Sequence, residues 1–236
     1  MRKDSPYYLP SIKVLQSASL FDDVDKQLME KILKYFIPMT LPKKSIIHSW
    51  QTKESFFVII SGRVKISQIN PHTGHEYIIF LLQGGDAFDI ISLLDREEHE
   101  VVIEAIDELQ LLKTSMDTAR NWLDMHSEFN KNFLPYLGKR MRLLENSATD
   151  LALYDTMTRL ARLILKYVTD KDKQEQENSI KLINDLSHEA LAQMIGSVRK
   201  VVNLNIQELK KDGIIDSVRG NLSLKNLQKL LERARL

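Results

Sequence analysis

Hydrophobic and polar positions follow three successive regimes along the chain. After a polar start, LFDDVDKQLMEKILKYF places Leu28, Ile32 and Phe36 four residues apart, the spacing of one helix face, with Asp22 or Asp23 available as its cap. Over residues 37–113 the pattern changes to short runs rich in Ile, Val and Phe: KKSIIHSW, SFFVIISG, RVKISQI, YIIFLLQGGDAF, EVVIEAID and LQLLKTS. Runs of this length and composition, separated by turn residues, predict strands. Asn70-Pro71 and Thr73-Gly74 mark a hairpin tip and Gly84-Gly85-Asp86 a second turn, so a compact antiparallel roll or barrel is expected over a parallel sheet.

From Met116 the helical period takes over. Leu134, Leu137, Met141, Leu144, Ala148 and Leu151 alternate in steps of three and four. This heptad seam suits an interface between two identical chains, because Lys139, Arg140, Arg142 and Glu145 lie on other faces; one stripe of a buried core helix is the alternative. Pro135 would be comfortable only in a first turn or at a kink. A further helix over residues 156–168 is expected to bury Leu160, Leu163, Ile164 and Tyr167. The segment TDKDKQEQENS after it holds no apolar residue and reads as a solvated loop bounding the last module.

The last module, LSHEALAQMIGSVRKVVNLNIQELKKDGIIDSVRGNLSL, carries the most specific pattern. Ser187 can cap a short helix that buries Leu191 and Met194 or Ile195, and Gly196 supplies a tight turn. A second helix follows with Val202, Ile206 and Leu209 inward, making a helix-turn-helix. Gly213-Ile214-Ile215, Val218, the turn Arg219-Gly220-Asn221, Leu222 and Leu224 then read as a small hairpin wing. The outward face of the second helix offers Ser197, Arg199, Lys200 and Asn203, side chains that donate to phosphates and base edges. A solvated face on a small helical subdomain is the plainer reading of any one of them. Glycine turn, helix pair and wing together favour DNA.

Composition narrows the classes. A chain of 236 residues with 43% hydrophobic and 28% charged side chains is globular, with room for two domains. No apolar stretch is long enough to span a membrane, and MRKDSPYYLP lacks the apolar core of a secretory signal, so a cytoplasmic location without membrane contact is expected. Without cysteine there is no disulfide, no thiolate nucleophile and no cysteine-ligated iron-sulfur cluster. The net charge of +1 divides unevenly: residues 181–236 hold ten Lys/Arg against six Asp/Glu, a balance of +4, and the rest of the chain carries −3. A basic final module is what phosphate contact needs.

In the order of its parts the chain resembles, over nearly its whole length, the Crp-Fnr regulators of bacteria, relatives of the cyclic AMP receptor protein. The matching stretches are LFDDVD, FFVIISGRVKIS, QGGDAFDIISLLD, KRMRLLENSATDLALYD and LAQMIGSVRKVVN. The resemblance implies an α+β chain: an antiparallel β-roll effector-sensing domain with an N-terminal helix over residues 1–115, a dimerisation helix and hinge over 116–152, and a winged helix-turn-helix over 153–236. It also implies a homodimer on double-stranded operator DNA that acts on RNA polymerase under a small-molecule effector. In the recognition helix Arg199 matches a family position that reads guanine. Lys200 stands where Glu is usual and Leu204 where Arg is usual, so the half-site should differ from the family's, with Lys200 either reading a base or gripping phosphate. Asn203 can pair with adenine and Leu204 can touch a thymine methyl, while Ser187 and Arg219 complete the DNA-facing set.

The departures bear on the effector. Nucleotide-binding members place a carboxylate on the ribose and an Arg-Ser or Arg-Thr pair on the phosphate. Here the corresponding pocket positions are Phe88, Asp89, Ile90, His99 and Glu100, and Glu100 would repel a phosphate. The polar pair that meets adenine falls at Leu144 and Glu145. Cyclic AMP is therefore not the expected ligand, and the effector stays unnamed. Some relatives sense gases through haem, and His72, His75 and Glu76 could be metal or haem ligands, as could His99. A polar hairpin tip explains the first three, and a backbone partner the last. No phosphate loop or catalytic triad stands out, so the enzyme alternative reduces to a metal-dependent cupin-like oxygenase, and a third alternative is an effector-independent DNA-binding or interaction module.

Overall fold

The computed structural model describes residues 1–22, 24–168, 183–218 and 221–235. Helices α1 (Tyr8–Gln16) and α2 (Lys26–Leu33) come first. The cap of α2 is Asp25, whose carboxylate accepts from the amides of Gln27 (2.6 Å) and Leu28 (2.9 Å). The sequence points to Asp22 or Asp23 instead. Leu20 and Phe21 are fully buried in the turn ahead of the helix, so its start is displaced beyond them, and Phe36 is buried past its end. Asp23 lies outside the described residues.

Eight strands follow: β1 (Ile37–Leu41), β2 (Ile46–Ile47), β3 (Ser55–Ser61), β4 (Val64–Ile69), β5 (Glu76–Leu82), β6 (Ala87–Phe88), β7 (Val102–Ala105) and β8 (Leu109–Ser115). They form two four-stranded sheets in the orders β1-β8-β3-β6 and β2-β7-β4-β5, with antiparallel pairing in the registered ladders. This is the expected roll. β3 reads SFFVIIS without alternation because both of its faces are covered. Phe56 and Val58 point to a core shared with Leu15, Phe21, Ile32, Phe36 and Trp122. Phe57 and Ile59 point into the roll with Val64, Phe88, Ile103 and Leu111.

Two short helices interrupt the strands, α3 (Ser49–Glu54) and α4 (Ile90–Asp95), and two longer ones follow, α5 (Met116–Met125) and α6 (Ser127–Leu153). Pro135 lies well inside α6 and not in its first turn. Its ring faces solvent, where the lost backbone donor is least costly. α7 (Thr156–Lys166) is capped by Asp155 and buries Leu160, Leu163 and Ile164 as expected. Tyr167 falls just beyond the helix and is only half-buried, with Lys166 over its ring, so the expectation of a core tyrosine is corrected.

α8 (His188–Met194), α9 (Arg199–Lys211), β9 (Ile215–Val218), β10 (Asn221–Leu224) and α10 (Leu227–Arg233) complete the chain. The charged loop TDKDKQEQENS lies outside the described residues. The chain divides into two compact units, one of Met1–Asn70 with Ile79–Leu143 and one of Pro71–Ile78 with Leu144–Leu236. No helix among the described residues is long and apolar enough to cross a membrane.

Candidate functional site

The second unit contains the helix pair. Ser187 Oγ accepts from the Ala190 amide at 3.1 Å and starts α8, which buries Leu191 and Ala192. Of the two candidates for its last apolar contact, Ile195 is buried and Met194 only partly so. The Ile195 carbonyl accepts from Arg159 Nη1 on α7 at 2.7 Å, which satisfies one orphan group at the end of α8. Gly196 then turns the chain with φ +60°, and a Cβ there would come within 2.7 Å of Leu151 Cδ2. The positive φ calls for glycine, while the Leu151 methyl sits at the end of an exposed side chain that can move aside.

α9 buries Val202, Ile206 and Leu209, so its opposite face is fixed outward. Arg199, Lys200 and Leu204 are exposed there, Ser197 and Asn203 are half-buried, and Val198, which sequence reasoning passed over, stands exposed at the N-cap. The Asn203 side chain is not open at both ends. Its Oδ1 is hydrogen-bonded to Nδ1 of His188, a residue the sequence did not single out. The two-pronged adenine contact needs that same oxygen as acceptor. The wing forms as β9 and β10 pair antiparallel, and Lys210 Nζ bridges from α9 to the Ser217 carbonyl at 2.9 Å. Arg219, at the wing turn, lies outside the described residues.

In the first unit the effector positions separate into buried and exposed sets. Phe88 is buried and stacked on Phe57 at 5.2 Å between ring centroids. Asp89 is 4% exposed, and its carboxylate accepts from Ser92 Oγ (2.8 Å), Thr52 Oγ1 (3.4 Å) and His99 Nδ1 (2.9 Å). The hydrogen bond to Asp89 holds the His99 imidazole above its ordinary pKa, against the effect of burial. Asp89 and His99 thus come together, Ile90 is half-buried beside them in sequence, and Glu100 is exposed. Leu144 and Glu145 on α6 are exposed as well.

Arg140 has a role the heptad pattern hid. Its guanidinium meets the Asp86 carboxylate, donates to Tyr136 Oη at 2.7 Å, and lies 5.6 Å from the Phe80 ring centroid. Tyr136 Oη in turn accepts from the Ala87 amide at 3.2 Å, and burial pushes its phenol pKa up. The inward stripe of α6 is therefore Phe129, Phe133 and Tyr136. The seam lies elsewhere: Leu134 is 64% exposed, Met141 62%, Leu144 39% and Leu151 41%, with Ala148 exposed and Leu137 half-buried.

The histidine cluster does not assemble. Among the described residues no three His, Asp or Glu side chains come together as a metal site. His72 and His75 are exposed at the hairpin tip, and within the second unit Glu76 accepts from Gln193 Nε2 at 2.8 Å.

Comparison with known proteins agrees with these parts. A cyclic nucleotide-binding domain matches residues 39–126, and a Crp-like helix-turn-helix domain matches residues 158–233. A curated relative, the CRP-like cAMP-activated global transcriptional regulator of Mycobacterium tuberculosis, is 25% identical over 224 residues, spanning 94% of this chain and 99% of its own. The global nitrogen regulator of Synechocystis sp. is 25% identical over 214 residues, 89% of this chain and 91% of that one. Among solved structures, a mutant of CooA from Carboxydothermus hydrogenoformans superposes with a TM-score of 0.73 at 25% identity, covering 90% of this chain and 97% of that one. The family is one of regulators and not of enzymes, so the cupin-like oxygenase alternative falls away. With a β-domain of the cyclic nucleotide-binding type, a long helix and a winged Crp-like helix-turn-helix, the chain belongs to the Crp-Fnr family of DNA-binding transcription regulators.

Proposed function

We propose that the protein controls transcription as a homodimer, each protomer laying α9 into the major groove of one half of an inverted-repeat operator. The observation that carries this reading is the outward pair Arg199 and Lys200 at the start of a helix whose other face is locked by Val202, Ile206 and Leu209. Side chains at the first turn of a recognition helix reach base edges, and those of the helix before it reach the backbone. Arg199 reads guanine, Lys200 and Ser197 contact base or phosphate, Leu204 packs on a thymine methyl, and Ser187 and Arg219 hold the backbone. The exposed seam of Leu134, Leu137, Met141, Leu144, Ala148 and Leu151 joins the two protomers. Residues 1–115 sense the effector, 116–152 form the dimer helix and hinge, and 153–236 bind DNA. RNA polymerase is the downstream partner.

The effector is a small molecule other than cyclic AMP. One relative is cAMP-activated by name, which makes that nucleotide the first alternative. Against it stands Asp89, whose buried carboxylate is already engaged by Ser92, Thr52 and His99, and Glu100, which sets a negative charge where a cyclic phosphate needs a positive one. Selection of bound fragments from genomic DNA, followed by gel shifts with the enriched sequences, tests the reading. An enriched inverted repeat is expected; fragments retained without any common sequence would refute it.

A further inference from the structure

His188 and Asn203 stand on different helices of the DNA-reading module, His188 opening α8 and Asn203 lying four residues after Arg199 on α9. Residues four apart share one helix face, so Asn203 follows Arg199 along the outward side. The His188–Asn203 bond joins Nδ1 to Oδ1, and neither side chain makes another hydrogen bond among the described residues. A carboxamide oxygen only accepts, so Nδ1 carries the proton. The bond places the oxygen end of the carboxamide against α8. The oxygen is held by α8, and the two N–H groups of Nδ2 remain to be used.

We propose that His188 is a positioning residue for base reading: by turning Oδ1 toward α8 it leaves Nδ2 as the end of Asn203 that faces the base edges. This rests on the DNA-binding reading above. A free asparagine prefers adenine, because its oxygen accepts from N6 while its amide donates to N7. With Oδ1 turned toward α8, adenine offers Nδ2 its N7 alone and leaves its N6 amino group without an acceptor, and cytosine brings its N4 amino group against a donor. Guanine, through N7 and O6, and thymine, through O4, present acceptors and suit Nδ2. The base opposite Asn203 is therefore guanine or thymine, and His188, which contacts no base in this scheme, decides it. A histidine that merely clamped α8 to α9 would leave that choice untouched.

Five full-length proteins separate the possibilities by selection from a randomised duplex library followed by equilibrium binding: wild type, His188→Ala, His188→Gln, Asn203→Ala and the double variant His188→Ala/Asn203→Ala. Wild type is expected to favour guanine or thymine over adenine by about tenfold at one position of each half-site, the scale of a single well-made base contact. In His188→Ala that preference should collapse, with adenine accepted, while the other positions stay selective. His188→Gln, whose amide N–H can also donate to Oδ1, should restore it. Once Asn203 is alanine, removing His188 as well should alter no base preference. Uniform weakening on all sequences in His188→Ala with an intact preference profile would overturn the proposal, as would an effect of His188 that survives without Asn203. If His188→Ala does not fold, His188→Leu, which keeps an apolar volume but has no donor for Oδ1, carries the test and must accept adenine at that position. A wild-type protein that enriches no sequence would overturn the DNA reading itself, a result distinct from enrichment of a half-site with adenine opposite Asn203.

Discussion

Replacing Leu144 by glutamate bears most heavily on the proposed dimer. Summed over Leu134, Met141, Leu144 and Leu151, the fractional exposures amount to about two fully exposed large apolar side chains per protomer. Covering them in a symmetric pair is worth about 6–12 kcal/mol at about 1.5–3 kcal/mol per side chain. Association costs about 4–15 kcal/mol in lost freedom, so the seam has little to spare. Leu144 alone, 39% exposed, contributes about 1–2 kcal/mol over both copies. Glutamate removes that gain and brings two carboxylates toward the same symmetry axis, each losing water. The combined loss is at least about 2 kcal/mol, about thirtyfold in the dimer dissociation constant. Sizing with light scattering across a dilution series reads it directly, with Leu144→Met as the control that keeps the apolar volume. L144E should dissociate at concentrations where wild type and L144M are dimers. An unchanged dissociation constant would refute the seam as the contact.

Three further outcomes follow from the geometry. The raised pKa of His99 means that its ion pair with Asp89 contributes fully below the unfolded value near 6.5 and is lost as pH climbs through the folded value. The gap in thermal midpoint between wild type and His99→Gln should therefore be wider at pH 6 than at pH 8.5, and an equal gap at both would count against the pair. Gly196→Ala forces a side chain into φ +60° and against Leu151, and should lower unfolding free energy by about 1–2 kcal/mol in denaturant titration; a neutral result would contradict the turn geometry. Cyclic AMP should give no calorimetric signal, and binding tighter than about 10 μM, roughly 7 kcal/mol, would show that another group serves its phosphate.

Much of this architecture is legible in the chain because periodicity reports burial. SFFVIIS, apolar at five successive positions from Phe56 to Ile60, announces a strand covered on both faces, and Val202, Ile206 and Leu209 announce the inward side of α9. The heptad stripe of α6 is legible as a period, and Leu134, Met141, Leu144 and Leu151 on it are exposed in the single chain. Short elements are another matter. α3 and α4, six residues each, are too brief to show a helical period, and α1 buries only Tyr8, Ser11 and Leu15. Pairings across the chain are invisible altogether. Arg140 finds Asp86 at a separation of 54 residues, Arg159 finds the Ile195 carbonyl at 36, and His188 finds Asn203 at 15. Asp89 and His99 could each be flagged as departures from a nucleotide pocket, yet that the two satisfy one another is a fact of the fold.

The central claim, that this chain reads DNA through the outward face of α9, is tested most directly by measuring Arg199→Ala against wild type on the operator that wild type selects. The expected operator is an imperfect palindrome with half-site centres about one helical turn, roughly 34 Å, apart. Arg199→Ala should lose about 1–3 kcal/mol per base contact and relax discrimination at one guanine, with the preferences elsewhere kept. Arg199→Ala binding with unchanged affinity and unchanged base preference would contradict it.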